Sequence, residues 1–249
     1  MSFKDHFSRQ AQGYARYRPG YPEALFRYLA GQAPSRSMAW DCGTGNGQAA
    51  RALAPFFDRV HATDASAEQI AQATGPANVA FAVAPAERSG LEPETADLVT
   101  VAQAFHWFDQ PGFFAEARRV LRPAGILAIW TYALMYVEPT VDRMIEHYYR
   151  EVVGPYWPPE RRQVEVGYSD VTLPFPELDR PPFDMTVQWN LEETLGYLGT
   201  WSASQRYREA NGVDPVETVA EELHTAWGPP DRRRTIRWPL NLRVGRKPE

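Results

Sequence analysis

One cysteine, Cys42, stands among 249 residues. An internal disulfide is excluded, and so are a cysteine-held iron–sulfur cluster and a zinc ribbon. The five histidines, His6, His61, His106, His147 and His224, are scattered without metal-ligand spacing, so no metal is expected. No apolar run approaches the roughly 18 residues of a membrane helix, and no membrane partner is expected. The N-terminal MSFKDHFSRQ has no apolar core of the signal-peptide kind, which leaves a reducing, cytoplasmic setting as the expectation. Positive charge is short as well. The net charge is −5, whereas a general nucleic-acid binder shows a basic face. The run Arg232–Arg233–Arg234 is the exception and reads as a solvated turn before a strand.

What the chain does have is alternation. With 44% hydrophobic residues it can fill one large α/β domain with insertions. Residues 37–41 read as a short buried strand and 48–57 as a helix. Strands follow at 59–66, 79–87 and 96–105, with a helix at 67–74 between the first two. Residues 111–121 form the next helix, with Asp109 as its cap and Pro111 in its first turn. RPAG then turns into a strand at 126–132. Strands alternating with helices imply parallel βαβ units and a doubly wound sheet. Beyond residue 132 the rhythm changes. One helix and a proline-rich stretch precede a strand at 183–190, helices over 191–210 and 215–227, and a last strand at 235–247. Pro239 inside that strand favours an edge or a bulge. If the last two strands pair, 191–231 is a helical insertion between them, suited to selecting a substrate.

The segment MAWDCGTGNGQAARAL, residues 38–53, carries the chemistry. Three glycines, Gly43, Gly45 and Gly47, follow the first strand, where a doubly wound sheet binds its ligand. The spacing is G-x-G-x-G rather than the G-x-G-x-x-G of dinucleotide folds, and no Walker lysine is present. Asp41 sits at the end of the strand, where its charge would repel a pyrophosphate and favour an ammonium group. Asp64 ends the second strand about 20 residues on, the place of an acid that accepts ribose hydroxyls. It equally fits a helix cap before ASAEQIAQ, as does Ser66. A ligand with a ribose, positive charge and no phosphate meets these terms, and S-adenosylmethionine is one.

WDCGTGNG, ATDAS, APAE, AFHWFD and LRPAGILAIW stand in the order and spacing of class I S-adenosylmethionine-dependent methyltransferases, which the chain resembles over nearly its whole length. FSRQAQGYARYRPGYP and LGYLGTWSASQRY look like the small-molecule branch that includes trans-aconitate methyltransferases. The resemblance implies one domain over 1–249 with a Rossmann-like sheet of seven strands. That sheet would be mostly parallel with an antiparallel last strand and helices on both faces. Residues 1–30 would cover the cofactor, 31–132 would bind it, and 133–249 would face the substrate. Asp41, Gly43, Thr44 and Gly45 map to the methionine end of the cofactor, and Asp64 and Ala65 to its ribose. Ala86 and Glu87 map to the adenine, and Ala102 and Gln103 to the sulfonium. Tyr14 and Arg18 map to a closing segment, with Arg18 on the cofactor carboxylate.

His106 is open to two readings: a general base, or a structural corner with Trp107. Tyr132, Trp201 and Arg206, with His106 and Trp107, are the candidates for the acceptor pocket, and Arg206 suits an acidic acceptor. The expected activity is methyl transfer to a small molecule, with a carboxylic acid as the leading candidate, leaving S-adenosylhomocysteine. RNA or protein methylation, a nicotinamide oxidoreductase and a non-catalytic binding protein are the competing classes. The acidic balance, the absence of an N/D-P-P-Y motif after the fourth strand and the glycine spacing weigh against the first and second of these.

Overall fold

A computed structural model describes residues 19–249. Tyr14 and Arg18, expected on the cofactor, lie outside the described residues. The chain enters as helix α1 (Glu23–Gln32) and then alternates through β1 (Met38–Cys42), α2 (Gln48–Leu53), β2 (Arg59–Asp64), α3 (Ala67–Gln72), β3 (Val79–Val83) and β4 (Ala96–Ala102). A short turn at Phe105–Trp107 leads into α4 (Gln110–Val120) and β5 (Leu121–Thr131).

The central strands β1, β4 and β5 form because they are apolar on both faces, whereas β2 and β3 toward the edge are only partly buried. All five residues of β1 are buried, and β4 is buried from Ala96 to Val101. Along β5 the sides alternate. Ile126, Ala128 and Trp130 join one core with α1 and α2, whereas Leu127 and Ile129 join a second with Phe113, Ala117 and Val120 of α4. Helices therefore cover both faces, as expected. The strand order is β3-β2-β1-β4-β5-β8, parallel up to β5, with β8 (Asn241–Arg246) antiparallel at the edge. The order reverses between β1 and β4, and their carboxyl ends open a crevice there. Buried Asp97 fixes the start of that pair. Its carboxylate accepts from Ser37 N and Met38 N at 2.9 Å each and from Ser35 Oγ, and Arg122 pairs with it.

The seven-stranded expectation is corrected to six. The expected last strand breaks at Leu240 into β7 (Arg234–Pro239) and β8. A proline nitrogen carries no hydrogen to donate, so the ladder gains no bond from it at Pro239, and the chain steps from one sheet to another there. β7 pairs antiparallel with β6 (Asp184–Trp189) as a separate two-stranded sheet, with Val187 opposite Ile236. The insertion between them holds α7 (Leu191–Gly199), α8 (Ser202–Asn211) and α9 (Glu217–Trp227).

Three smaller expectations also shift. The helix read across 191–210 breaks at Thr200–Trp201, where Thr200 Oγ1 donates to Tyr197 O at 2.7 Å and Ser204 Oγ to Leu198 O at 2.7 Å. The RPAG turn lies within β5 as an irregularity, with Ala124 at φ +60°. Asp109 stands at the N-cap of α4 with Pro111 in its first turn, as expected, but its side chain makes no capping bond. Between β5 and β6 run α5 (Pro139–His147), a wide turn at Tyr148–Val152, and the short α6 (Arg161–Glu165).

Candidate cofactor site

All three glycines of the turn after β1 have left-handed backbone, with φ of +68°, +55° and +88°. Two are filled in from behind. A Cβ on Gly43 would stand 2.6 Å from Ala104 Cβ and 3.0 Å from Phe108, and one on Gly47 would stand 2.7 Å from the Phe81 ring. Gly45 is different. Its Cβ position meets only Gln69 Oε1, at 3.8 Å, so the bare backbone there faces open space. A ligand at the turn could lie against that backbone without a side chain in the way.

Asp64 forms one wall. Its carboxylate accepts from Gly45 N at 2.8 Å and from Ser66 N at 2.9 Å, tying the glycine turn to the end of β2. The helix cap is Ser66, whose Oγ accepts from Gln69 N at 3.2 Å. Asp64 is therefore not spent on capping, and it is half-buried at the crevice with Ala65 exposed beside it.

Asp41 lies beneath the turn rather than at its mouth. It is 0% exposed. Thr44 Oγ1 donates to it at 2.6 Å and Thr100 Oγ1 at 2.8 Å, and Thr44 N in turn donates to Thr63 O. Thr100 sits opposite Asp41 in the β1–β4 register. Sequence reading missed Thr100, although a lone hydroxyl in an apolar strand was its one signal. Burial pushes the Asp41 carboxyl up to about 6, against the hydroxyl bonds from Thr44 and Thr100 that favour its charge. No lysine or arginine pairs with it among the described residues. The site thus holds a buried acid without a countercharge, which a cationic ligand would supply. Cys42 beside it is buried, and its thiol is pushed well up by burial, so it is inert.

A pH dependence follows. Below about 6 Asp41 is neutral, and above it the charge is present. Affinity for S-adenosylmethionine is expected to fall roughly tenfold from pH 7.5 to pH 5, and Asp41→Asn to flatten that profile, as read by calorimetry. The free fold has the opposite sign: the native state binds the extra proton, so Asp41 stabilises it below its unfolded value of 3.8 and that contribution is lost as pH rises through about 6.

The other predicted residues sort by position. Ala86 is buried and Glu87 exposed after β3, with Glu87 against Gly112 at the start of α4. Ala102 is half-buried at the end of β4. Gln103, at φ +57°, uses its side chain as a bracket: Nε2 donates to Tyr132 O at 3.0 Å, and Oε1 accepts from Tyr132 N at 3.1 Å and from Thr131 Oγ1. It locks the ends of β4 and β5 together, and Tyr132 is buried beyond them, 6.4 Å from the Tyr21 ring. Gln48, first in α2, donates to Pro19 O at 2.7 Å and ties the incoming chain beside the glycine turn.

His106 and Trp107 form the turn after β4, their rings 4.8 Å apart. The hydroxyl of fully buried Tyr168 lies 2.9 Å from His106 Nδ1. Burial, with Arg161 nearby, holds the imidazole down to about 3. Trp201 lies in an aromatic cluster 5.7 Å from each of Tyr148, Tyr149 and Trp157. Arg206 reaches Tyr156 O at 3.4 Å. Tyr168, Tyr149, Trp157 and Arg161 went unread, because they come from an irregular stretch with no periodic signal.

Comparison with known proteins gives the family. The family described as a methyltransferase domain matches residues 40–129. A Dictyostelium discoideum protein provisionally named a methyltransferase is 32% identical over 229 residues, 90% of this chain and 87% of that protein. A solved structure from Anaeromyxobacter dehalogenans, provisionally named a type II methyltransferase, is 47% identical with a TM-score of 0.89, over 94% of this chain and 100% of that one. Phosphoethanolamine N-methyltransferase 2 of Haemonchus contortus, solved with S-adenosylmethionine, shares the fold at 21% identity and a TM-score of 0.52, over 100% of this chain and 60% of that one. The chain belongs to the class I S-adenosylmethionine-dependent methyltransferases, and S-adenosylmethionine is its cofactor.

Proposed function

We propose that the methyl acceptor is a small carboxylic acid, whose ionised carboxylate oxygen attacks the methyl carbon of S-adenosylmethionine as the sulfur–methyl bond breaks and S-adenosylhomocysteine leaves. One observation carries this reading. The half-buried imidazole after β4, His106, has its Nδ1 engaged by the hydroxyl of fully buried Tyr168 at 2.9 Å, and burial with the nearby charge of Arg161 lowers its basicity, so it is poorly suited to take a proton from an alcohol or phenol near neutrality. Burial also pushes the Tyr168 phenol upward, so it stays neutral. A carboxylate is already ionised at pH 7 and needs no base.

Gly43, Thr44 and Gly45 would hold the amino-acid tail of the cofactor, with the Asp41 charge acting from below. Asp64 would hold the ribose, and Ala86 and Glu87 the adenine. When bound, the cofactor supplies an electrophilic methyl group on a sulfonium. The protein contributes alignment and dryness. Gln103 fixes the ends of β4 and β5, Ala102 leaves room beside them, and the aromatic segments exclude water. His106 and Trp107 act here as a wall.

The basic run supports a small acceptor over a nucleic acid. Arg233 pairs with Glu193 and Arg234 with Glu138, so that run is largely spent on internal ion pairs. The test is a panel of small carboxylic acids, phenols and amines assayed for S-adenosylhomocysteine release. Turnover confined to phenols or amines would overturn the reading. With an acid that turns over, His106→Gln is expected to keep cofactor affinity and to slow the rate by less than about tenfold. A loss of about a hundredfold or more would make His106 a base.

A further inference from the structure

We propose that Arg161 is the residue that recognises the negative charge of the acceptor; this rests on the carboxylic-acid reading above. Its guanidinium is mounted rather than mobile. Nε donates to Tyr149 Oη at 2.9 Å, and the guanidinium carbon lies 4.5 Å from the Trp157 ring centre and 5.4 Å from that of Tyr149. Stacking of this kind fixes the plane of an arginine while leaving its outer edge available.

The neighbouring acid does not neutralise it. Glu165, four residues along α6, accepts instead from the Tyr149 hydroxyl at 2.6 Å. Among the described residues Arg161 has no carboxylate partner, in contrast to Arg119 on Glu116, Arg234 on Glu138 and Arg243 on Glu177. Its two terminal nitrogens make no hydrogen bond among the described residues.

The placement joins this cation to the chemistry. Gln110 Nε2 donates to Gln163 Oε1 at 3.0 Å, and Tyr168, just after α6, reaches His106 Nδ1 at 2.9 Å. These contacts seat α6 against the turn that follows β4. Arg161 also contributes to holding the imidazole neutral, so the mounted positive charge beside that turn is its own. Trp201 extends the aromatic floor through Trp157. The arrangement fits an acidic molecule with an apolar body. One carboxylate oxygen held by a guanidinium nitrogen leaves the other free to attack. Arg206, one helix away, is engaged with Tyr156 and is not needed for this contact.

The experiment uses the full chain saturated with S-adenosylhomocysteine. Aliphatic and aromatic carboxylic acids, each paired with its carboxamide, are titrated by calorimetry into wild type, Arg161→Gln and Arg161→Lys. Wild type is expected to prefer an acid over its amide by about tenfold or more. Arg161→Gln should bring that ratio to near one, Arg161→Lys should keep part of it, and S-adenosylhomocysteine affinity should stay within about twofold in both. The ratio is insensitive to a general loss of packing, which weakens acid and amide together. A preference that survives in Arg161→Gln overturns the role of Arg161 and leaves the carboxylic-acid reading standing. Wild type that binds no acid better than its amide overturns both.

Discussion

Gly43→Val is expected to abolish cofactor binding and to destabilise the fold by about 2–4 kcal/mol. Two effects add. The backbone at Gly43 is left-handed, at φ +68°, which a β-branched residue strongly resists. The new side chain would also begin 2.6 Å from Ala104 Cβ and 3.0 Å from the Phe108 ring. Neither neighbour can retreat easily, since Phe105 between them is fully buried against Phe113 and Tyr168. The strain falls on the junction of β1 and β4, where the crevice opens. Gly45→Ala is the companion. Its Cβ faces open space, so it should cost only about 1–2 kcal/mol of stability, from φ alone, and its main loss should be in binding. Urea denaturation and titration with S-adenosylhomocysteine read the two effects apart. A Gly43→Val protein that binds like wild type would remove the turn from the site.

Asp64→Ala is expected to weaken the cofactor by about 1–3 kcal/mol, the loss of charge-assisted bonds to ribose hydroxyls. A second contribution comes from the apo structure itself. Asp64 accepts from Gly45 N and Ser66 N, so its removal frees the glycine turn. The cap of α3 should survive, because Ser66 provides it. Stability should therefore fall less than affinity does. Asp64→Asn keeps an acceptor for Gly45 N without the charge, and should fall between wild type and alanine. Unchanged affinity in Asp64→Ala would take the residue out of the site.

The sheet was legible up to β5 because buried parallel strands read as apolar runs between glycine and proline signals. ADLVTV is such a run, and every residue of it is buried. The glycine turn was legible because its glycines and Asp64 sit at sequence-local turns. What stayed hidden depends on distant contacts. The two threonines over Asp41 include Thr100, 59 residues away, so the sequence shows the acid but not its cover. The Tyr168 partner of His106 is 62 residues away, and burial by such neighbours, together with the charge of Arg161, makes that imidazole a poor base. The last strand split at Pro239 because its two halves face different partners, β6 and β5, and periodicity cannot tell one continuous strand from two. The break at Thr200–Trp201 is set by side-chain hydroxyls, Thr200 on Tyr197 O and Ser204 of the next helix on Leu198 O, and Gly199 just before it is its one local mark.

A crystal structure with S-adenosylhomocysteine is the most direct measurement of the cofactor site. The ribose hydroxyls should lie on Asp64, and the amino-acid tail should run along the backbone of Gly43–Gly45 above Asp41. Density for the ligand elsewhere, with the open face of Gly45 filled by side chains, would contradict the account.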